Sequence, residues 1–224
     1  TFGRLSVFSG LNNLYDITFD VGYASICGIT LQEMLNNFAE PIEMMAKKYK
    51  CDRDTMITRL TEMYDGYRFT EVDEKVFNPF SLLWAFRSNK MGEYWFATGT
   101  PKYLVDLLRH NDYALSDLEG ASATIPQLSA FNPDTGDDPI PVMYQSGYLT
   151  IKDYNEERNN LTLGFPNEEV RHGFMEYVYP FFANTKGKQK FSFINFRDDI
   201  LDGKAEAFMK RLQAMTADMS YEIL

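Results

Sequence analysis

Between Thr30 and Tyr64 the apolar residues recur every three or four positions, the spacing that gathers them on one helical face. Leu31, Met34, Leu35 and Phe38 make the first such face. Thr30 precedes it with Glu33 three residues on, the capping-box pattern in which each side chain satisfies the other's backbone amide. Pro41 interrupts this helix and begins a second, running to about Tyr49 with Ile42, Met45 and Ala46 inward. Asp52 caps a third, on which Met56, Ile57, Leu60, Met63 and Tyr64 keep the spacing. Asp65-Gly66 stops it, and the run Tyr64-Asp65-Gly66-Tyr67-Arg68-Phe69 leads through a short loop to Phe77-Asn78-Pro79-Phe80. There Asn78 reads as a cap and Pro79 as the first helical residue. Phe80, Leu82, Leu83, Trp84 and Phe86 predict a helix buried over much of its girth. Thr100-Pro101 repeats the cap-and-proline device ahead of Tyr103, Leu104, Leu107 and Leu108. At the start of the chain, Leu5 to Phe8 alternates weakly, Ser9 to Asn13 supplies turn residues, and Asp16 to Asp20 predicts a loop or short strand.

The period changes after Asp112. Gly120 to Asp138 predicts irregular connections with short elements. Pro141 to Ser146 then reads as a short helix ended by Gly147, and Tyr148 to Tyr154 alternates as a strand with Leu149 and Ile151 on one face. Glu156 to Asn160 forms a turn, and Leu161, Leu163 and Phe165 line the returning strand. Asn167 caps the next helix, with Val170, Phe174, Tyr177 and Val178 inward. A helix, a hairpin and a helix predict a winged-helix-like module. Beyond the polar loop Gly187 to Lys190, a final helix from about Arg197 to Met219 carries Ile200, Leu201, Phe208, Leu212 and Met215. The expected fold class is mainly α with a small antiparallel β component: a helical bundle, then the winged-helix-like module, then a C-terminal helix. The aromatic turn between Tyr64 and Phe80, with Tyr64, Tyr67, Phe69, Phe77 and Phe80, reads as an internal packing joint between two helices.

Composition narrows the chemistry. With 224 residues, 45% of them hydrophobic and 15% aromatic, the chain can bury a sizeable core and is not a disordered segment. The net charge of −10 speaks against a broad phosphate-binding face. The only two cysteines, Cys27 and Cys51, exclude a disulfide scaffold and a four-cysteine zinc site, and unpaired thiols lead us to expect a cytoplasmic protein. No apolar run approaches the roughly 20 residues that span a bilayer, so no membrane partner is expected. The opening Thr1-Phe2-Gly3 and the closing Ile223-Leu224 both read as cut ends of a longer protein.

Candidate catalytic patterns are thin. The only Gly-Lys that suggests a phosphate loop, Gly187-Lys188, has Phe182 where the earlier glycine belongs and Gln189 where the hydroxyl residue belongs. His110 and His172 are the only histidines; the first sits in a helix-end pattern and the second beside Arg171 on a polar face, so no metal site is expected. A metal-dependent nuclease needs Pro-Asp ahead of an acidic-x-Lys. Pro133-Asp134 and Asp202-Gly203-Lys204 are in that order, but Asp202-Gly203 reads as a turn, while Asp73-Glu74-Lys75 precedes the Pro-Asp. No catalytic residue is assigned. Lys152, Arg158, Arg171 and Lys186 to Lys190 place positive charge near the hairpin, against Asp153, Glu156, Glu157, Glu168 and Glu169; DNA is therefore a candidate partner that the acidic residues oppose.

Several segments carry a resemblance. They are Phe2 to Leu14, Cys27-Gly28-Ile29-Thr30 with Glu33, Tyr64 to Phe69 with Phe77 to Leu82, Tyr94 to Pro101, Gln145 to Ile151, and Phe165 to Arg171. In this order they resemble the bacterial AAA-ATPase-like family, whose P-loop ATPase commonly precedes a PD-(D/E)XK nuclease-like domain. The resemblance implies that ATP and Mg are bound by residues ahead of Thr1 and that the nuclease-like core follows Leu224. It implies the edge of the nucleotide-binding core plus a helical lid over residues 1–115, the winged-helix-like module over 116–185, and a helical connector over 186–224. Its partners would be the upstream P-loop core and the downstream nuclease-like domain of the same chain. Ser9, Asn12 and Asn13, with Arg4, are the nucleotide-sensing candidates it implies; loop capping by the same residues is the other reading. The function expected is that of a non-catalytic lid and coupling portion relaying ATP state. A stand-alone protein-interaction or DNA-binding winged-helix module is the alternative.

Overall fold

The computed structural model describes residues 16–95, 106–108, 115–129, 138–177 and 193–217. Helices α1 (Leu31–Asn37), α2 (Ala39–Tyr49), α3 (Arg53–Tyr64) and α4 (Pro79–Ser88) come first. Strand β1 (Ser122–Ala123), α5 (Ile125–Ser129), α6 (Pro139–Gln145), β2 (Thr150–Asn155), β3 (Asn160–Gly164) and α7 (Glu168–Tyr177) follow, then α8 (Phe193–Leu201) and α9 (Ala205–Ala217). The protein is mainly helical, and its described residues form a small antiparallel sheet of order β1-β3-β2.

Helix starts obey local chemistry. Thr30 Oγ1 accepts from the Glu33 amide while Glu33 Oε2 accepts from the Thr30 amide, closing the capping box. Asp52 caps α3 through the Thr55 amide, and Asn78 caps α4 through the Phe80 and Ser81 amides, with Pro79 at the first helical position. The same device also opens α6, where Asp138 caps and Pro139 leads, so that helix begins two residues before the expected Pro141. The second helix likewise begins at Ala39, ahead of Pro41, because its first turn needs no amide at position 41. Strand β2 starts at Thr150 rather than Tyr148.

Two apolar cores result. The first gathers Met34, Ile42, Met45, Met56, Leu60, Tyr64, Phe77 and Leu82 from α1 to α4. The second gathers Tyr67, Val76, Met143, Leu149, Ile151, Leu161, Leu163, Val170 and Phe174 around the sheet, α6 and α7. Each fully buried Met, Ile or Leu contributes about 1.5–3 kcal/mol of burial free energy, so both cores are substantial.

Three expectations are corrected. Helix α4 is not buried over much of its girth: Leu82 and Ala85 are buried, but Phe80 is 44% and Trp84 40% exposed, with Leu83 also open. Phe80 therefore packs at the surface, edge-on to Trp84, and not inside the joint. Leu31 is exposed as well, because α1 turns only Met34 fully inward. Third, the single C-terminal helix is two: Gly203, at φ +68, breaks it between α8 and α9. Ile200 and Leu201, expected on its inward face, are 61% and 75% exposed. Of that face, Phe208 packs edge-on to Phe196.

Candidate functional site

The feature that unites the two cores lies at Tyr64 to Phe77. Tyr64 ends α3 inside the first core, and three residues later Tyr67 lies inside the second. The chain then returns: Val76 is in the second core and Phe77 in the first. Tyr67 and Val76 pair as an antiparallel bridge (Tyr67 N to Val76 O 3.2 Å, Val76 N to Tyr67 O 2.9 Å), and Ile29 pairs with Phe77 beside it. The Asn78 amide donates to Tyr64 O at 3.0 Å and closes the base of the excursion. Asp65-Gly66 is the helix stop that the sequence predicts, with Gly66 at φ +103.

Three polar side chains lock the joint to the second core. Asn167 accepts from the Val170 amide (3.1 Å) as the cap of α7 and donates through Nδ2 to Asp65 O (3.0 Å). Thr150 Oγ1 accepts from the Arg68 amide (2.7 Å) and donates to Arg68 O (2.8 Å). The buried Arg68 guanidinium donates to the carbonyls of Thr70, Glu71 and Lys152 and lies 3.7 Å from the exposed Asp73 carboxylate. Lys152 sits at a bulge, where the register of β2 slips between Ile151 and Asp153, and this turns its carbonyl toward Arg68. Its ammonium donates to Pro166 O at 3.2 Å, and burial pushes its pKa down. Asn167→Ala should lower stability by about 2 kcal/mol, since it removes a cap and orphans a buried carbonyl. Chemical denaturation checks this, and Asn167→Asp, which keeps the cap but not the amide donor, should recover only part of the loss.

A second tie runs through residues 91–95. This strap has no regular structure beyond its ends, and side chains hold its amides. Tyr49 hydroxyl accepts from Met91 N (2.8 Å), and Tyr64 hydroxyl accepts from Gly92 N and donates to Gly92 O (2.9 Å each). Glu169 Oε1 accepts from both Tyr94 N (2.6 Å) and Trp95 N (2.9 Å). Trp95 then packs edge-on to Tyr148 at 4.8 Å between centroids. Glu169 is fully buried, and burial pushes its carboxyl pKa up against the pull of the Ser81 hydroxyl and the two amides. Asp65 is also raised by burial, with the Gly66 amide and Lys75 acting the other way.

Beside the joint opens a cleft of about 180 Å³, lined by Cys27, Tyr67, Phe69, Asn78, Trp95 and Ser146 among others. Small-molecule sites run to about 300–1,000 Å³, so this cleft is too small for a nucleotide. Both cysteines are free thiols.

The remaining candidates resolve as follows. Arg4, Ser9, Asn12 and Asn13 lie outside the described residues, as do His110, Pro133-Asp134 and Lys186 to Lys190. His172 is half exposed and lies 3.3 Å from Glu168 on the outer side of α7. Lys204 pairs with Asp202 at 2.7 Å in an exposed turn, and no cluster of metal-ligating side chains occurs among the described residues. Arg171 pairs with Glu119 (3.3 Å) and Glu168 (3.6 Å), so the positive charge near the hairpin is partly neutralised. Two residues escaped the sequence reading: Arg68 and Glu169. Arg68 lay unread between aromatics, and Glu169 looked like an ordinary acidic residue of a first helical turn.

No protein-family model matches the chain, and no solved structure matches it. One curated relative is an uncharacterised protein in the vnfD 5′ region of Azotobacter chroococcum mcd 1, 38% identical over 178 residues. The alignment takes in 78% of this chain and 32% of that protein, so the chain spans about a third of the relative's length. No helix among the described residues is long and apolar enough to cross a membrane.

Proposed function

We propose that this chain is the non-catalytic lid and coupling portion of an AAA-ATPase-like protein, acting in the cytoplasm and relaying ATP state to a downstream nuclease-like domain. The observation that carries the reading is the joint itself. A chain that crosses between two cores within three residues at Tyr64–Tyr67, and recrosses at Val76–Phe77, moves both cores together when either is displaced. The cross-links from Asn167, Thr150 and Glu169 make that mechanical connection stiff. The order of sequence motifs supplies the ATPase assignment, and the relative's length, about three times the matched region, leaves room in such a protein for catalytic parts elsewhere. ATP and Mg would be held by a P-loop core outside this chain.

The test compares two proteins. This chain alone should neither bind nor hydrolyse ATP, whereas a longer natural chain that includes the sequence ahead of Thr1 should bind ATP with Mg. Hydrolysis by the 224-residue chain alone overturns the proposal, as does the lack of a Gly-x-x-x-x-Gly-Lys-[Ser/Thr] loop in the upstream sequence. The winged-helix module as a free DNA binder predicts salt-dependent DNA affinity; the outward face of α7, with Arg171 and His172 beside Glu168, does not favour it.

A further inference from the structure

Glu169, fully buried on α7, holds the strap of residues 91–95. Both strap amides converge on one oxygen, Oε1. The other, Oε2, is buried, as is the Ser81 hydroxyl on α4, which faces the carboxyl. Burial favours the neutral carboxyl, whose carbonyl oxygen still accepts both strap amides. The groups that face it agree. From α4 comes the Ser81 hydroxyl, from the strap the Tyr94 and Trp95 amides, from α3 the Tyr64 phenol and from the joint the Tyr67 phenol. None of these is a cation. On its own helix, Arg171 and His172 both pair with Glu168 on the outer side.

We propose that Glu169 is a pH-sensitive latch: neutral, it holds the strap of residues 91–95 against α7, and on ionising it lets go of the strap to reach water. Burial favours the neutral form, so the folded carboxyl stays protonated above the ordinary glutamate value of 4.5. The closed latch is therefore fully favoured below that value and loses ground as the pH rises through the folded pKa. Ionisation sets the buried charge against its two amide bonds, and releasing residues 91–95 is the route by which the carboxylate is solvated. The strap connects α4 of the first core to Trp95 at the second, so an open latch loosens the joint. This deepens the coupling reading but needs no nucleotide, and its experiment uses none.

The experiment uses the whole chain with Trp84→Phe, which leaves Trp95 as the only tryptophan. Hydrogen-exchange protection of the Tyr94 and Trp95 amides, corrected for the intrinsic pH dependence of exchange, is followed from pH 4.5 to 8 together with Trp95 emission. Protection should fall about tenfold for each unit by which the folded pKa exceeds the ordinary value, and the emission should shift to the red over the same range. Adding Glu169→Gln, which keeps the accepting carbonyl oxygen and cannot ionise, should make both readouts independent of pH. Protection that stays constant in the Trp84→Phe protein overturns the proposal, and so does an equal loss in the Glu169→Gln protein. If the glutamine variant does not fold, NMR titration of the Glu169 carboxyl decides: a midpoint at or below the ordinary value overturns the latch, and one above it that coincides with the loss of protection supports it.

Discussion

Replacing Gly66 with alanine will lower stability by about 4 kcal/mol. Two costs combine. At φ +103 an L side chain is strained, which accounts for about 1–2 kcal/mol. The added Cβ would also lie 2.2 Å from the carbonyl oxygen of Pro166, a backbone atom with no rotamer to escape into. Pro166 immediately precedes the Asn167 that grips Asp65 O, so making room for the methyl group pulls α7 away from the end of α3. Gly120 is the control, since its φ is +91 with nothing within 4 Å of a built Cβ. Gly120→Ala should cost only the strain, about 1–2 kcal/mol. Urea unfolding of the two variants separates the contributions. Equal losses at the two positions would show that the close approach at the joint carries no weight.

Arg68→Met should be the next most damaging, at about 3 kcal/mol, because three carbonyls lose a charged donor in a dry environment. Methionine fills much of the volume, so the loss reports hydrogen bonding more than a cavity. The effect has an address. Residues 70–75, held to β2 through the Arg68 guanidinium, should gain exchange before the sheet does, while α1 and α2 should not change. Arg68→Lys keeps the charge but has no planar fork to reach Thr70, Glu71 and Lys152 together, and should recover less than half of the stability. A full rescue by lysine would mean that the charge near Asp73 matters and the carbonyl contacts do not.

The two variants share a cause. The joint works as a connection because its backbone is threaded between two cores and pinned by groups from both sides. Gly66 permits the close approach to Pro166, and Arg68 fastens the returning loop to the bulged strand. Loss of either should uncouple the cores before unfolding them, which differs from the effect of a core truncation such as Phe174→Ala.

How much of this was legible in the sequence depends on the range of the interaction. Thr30, Asp52, Asn78 and Asn167 each announce a helix start through amides within three residues, and each does so in the structure. The helix stop at Asp65-Gly66 and the strand faces of Leu149, Ile151, Leu161 and Leu163 were equally local, since a period of two or 3.6 needs no knowledge of the partner. The candidate site was less legible. Glu169 stands in an acidic first turn, where carboxylates ordinarily face water, and its amide partners are 74 and 75 positions away. Strand β1 consists of two residues paired to β3, too short to carry a period. The apolar residues of α4 showed that the helix is hydrophobic but not how many of its faces a neighbour would cover.

By itself, then, the sequence determined the caps at Thr30, Asp52, Asn78 and Asn167, the stop at Asp65-Gly66, the hairpin and the inward apolar positions, because these follow from backbone hydrogen bonding and side-chain period within a few positions. Only the tertiary structure decided that Tyr64 and Tyr67 belong to different cores, that Arg68 and Glu169 are buried, and that Phe80 and Trp84 are not. The physical reason is that burial and desolvation belong to the partners a residue meets, and decisive ones lie far along the chain, as Lys152 does from Arg68, Tyr94 from Glu169 and Asn167 from Asp65.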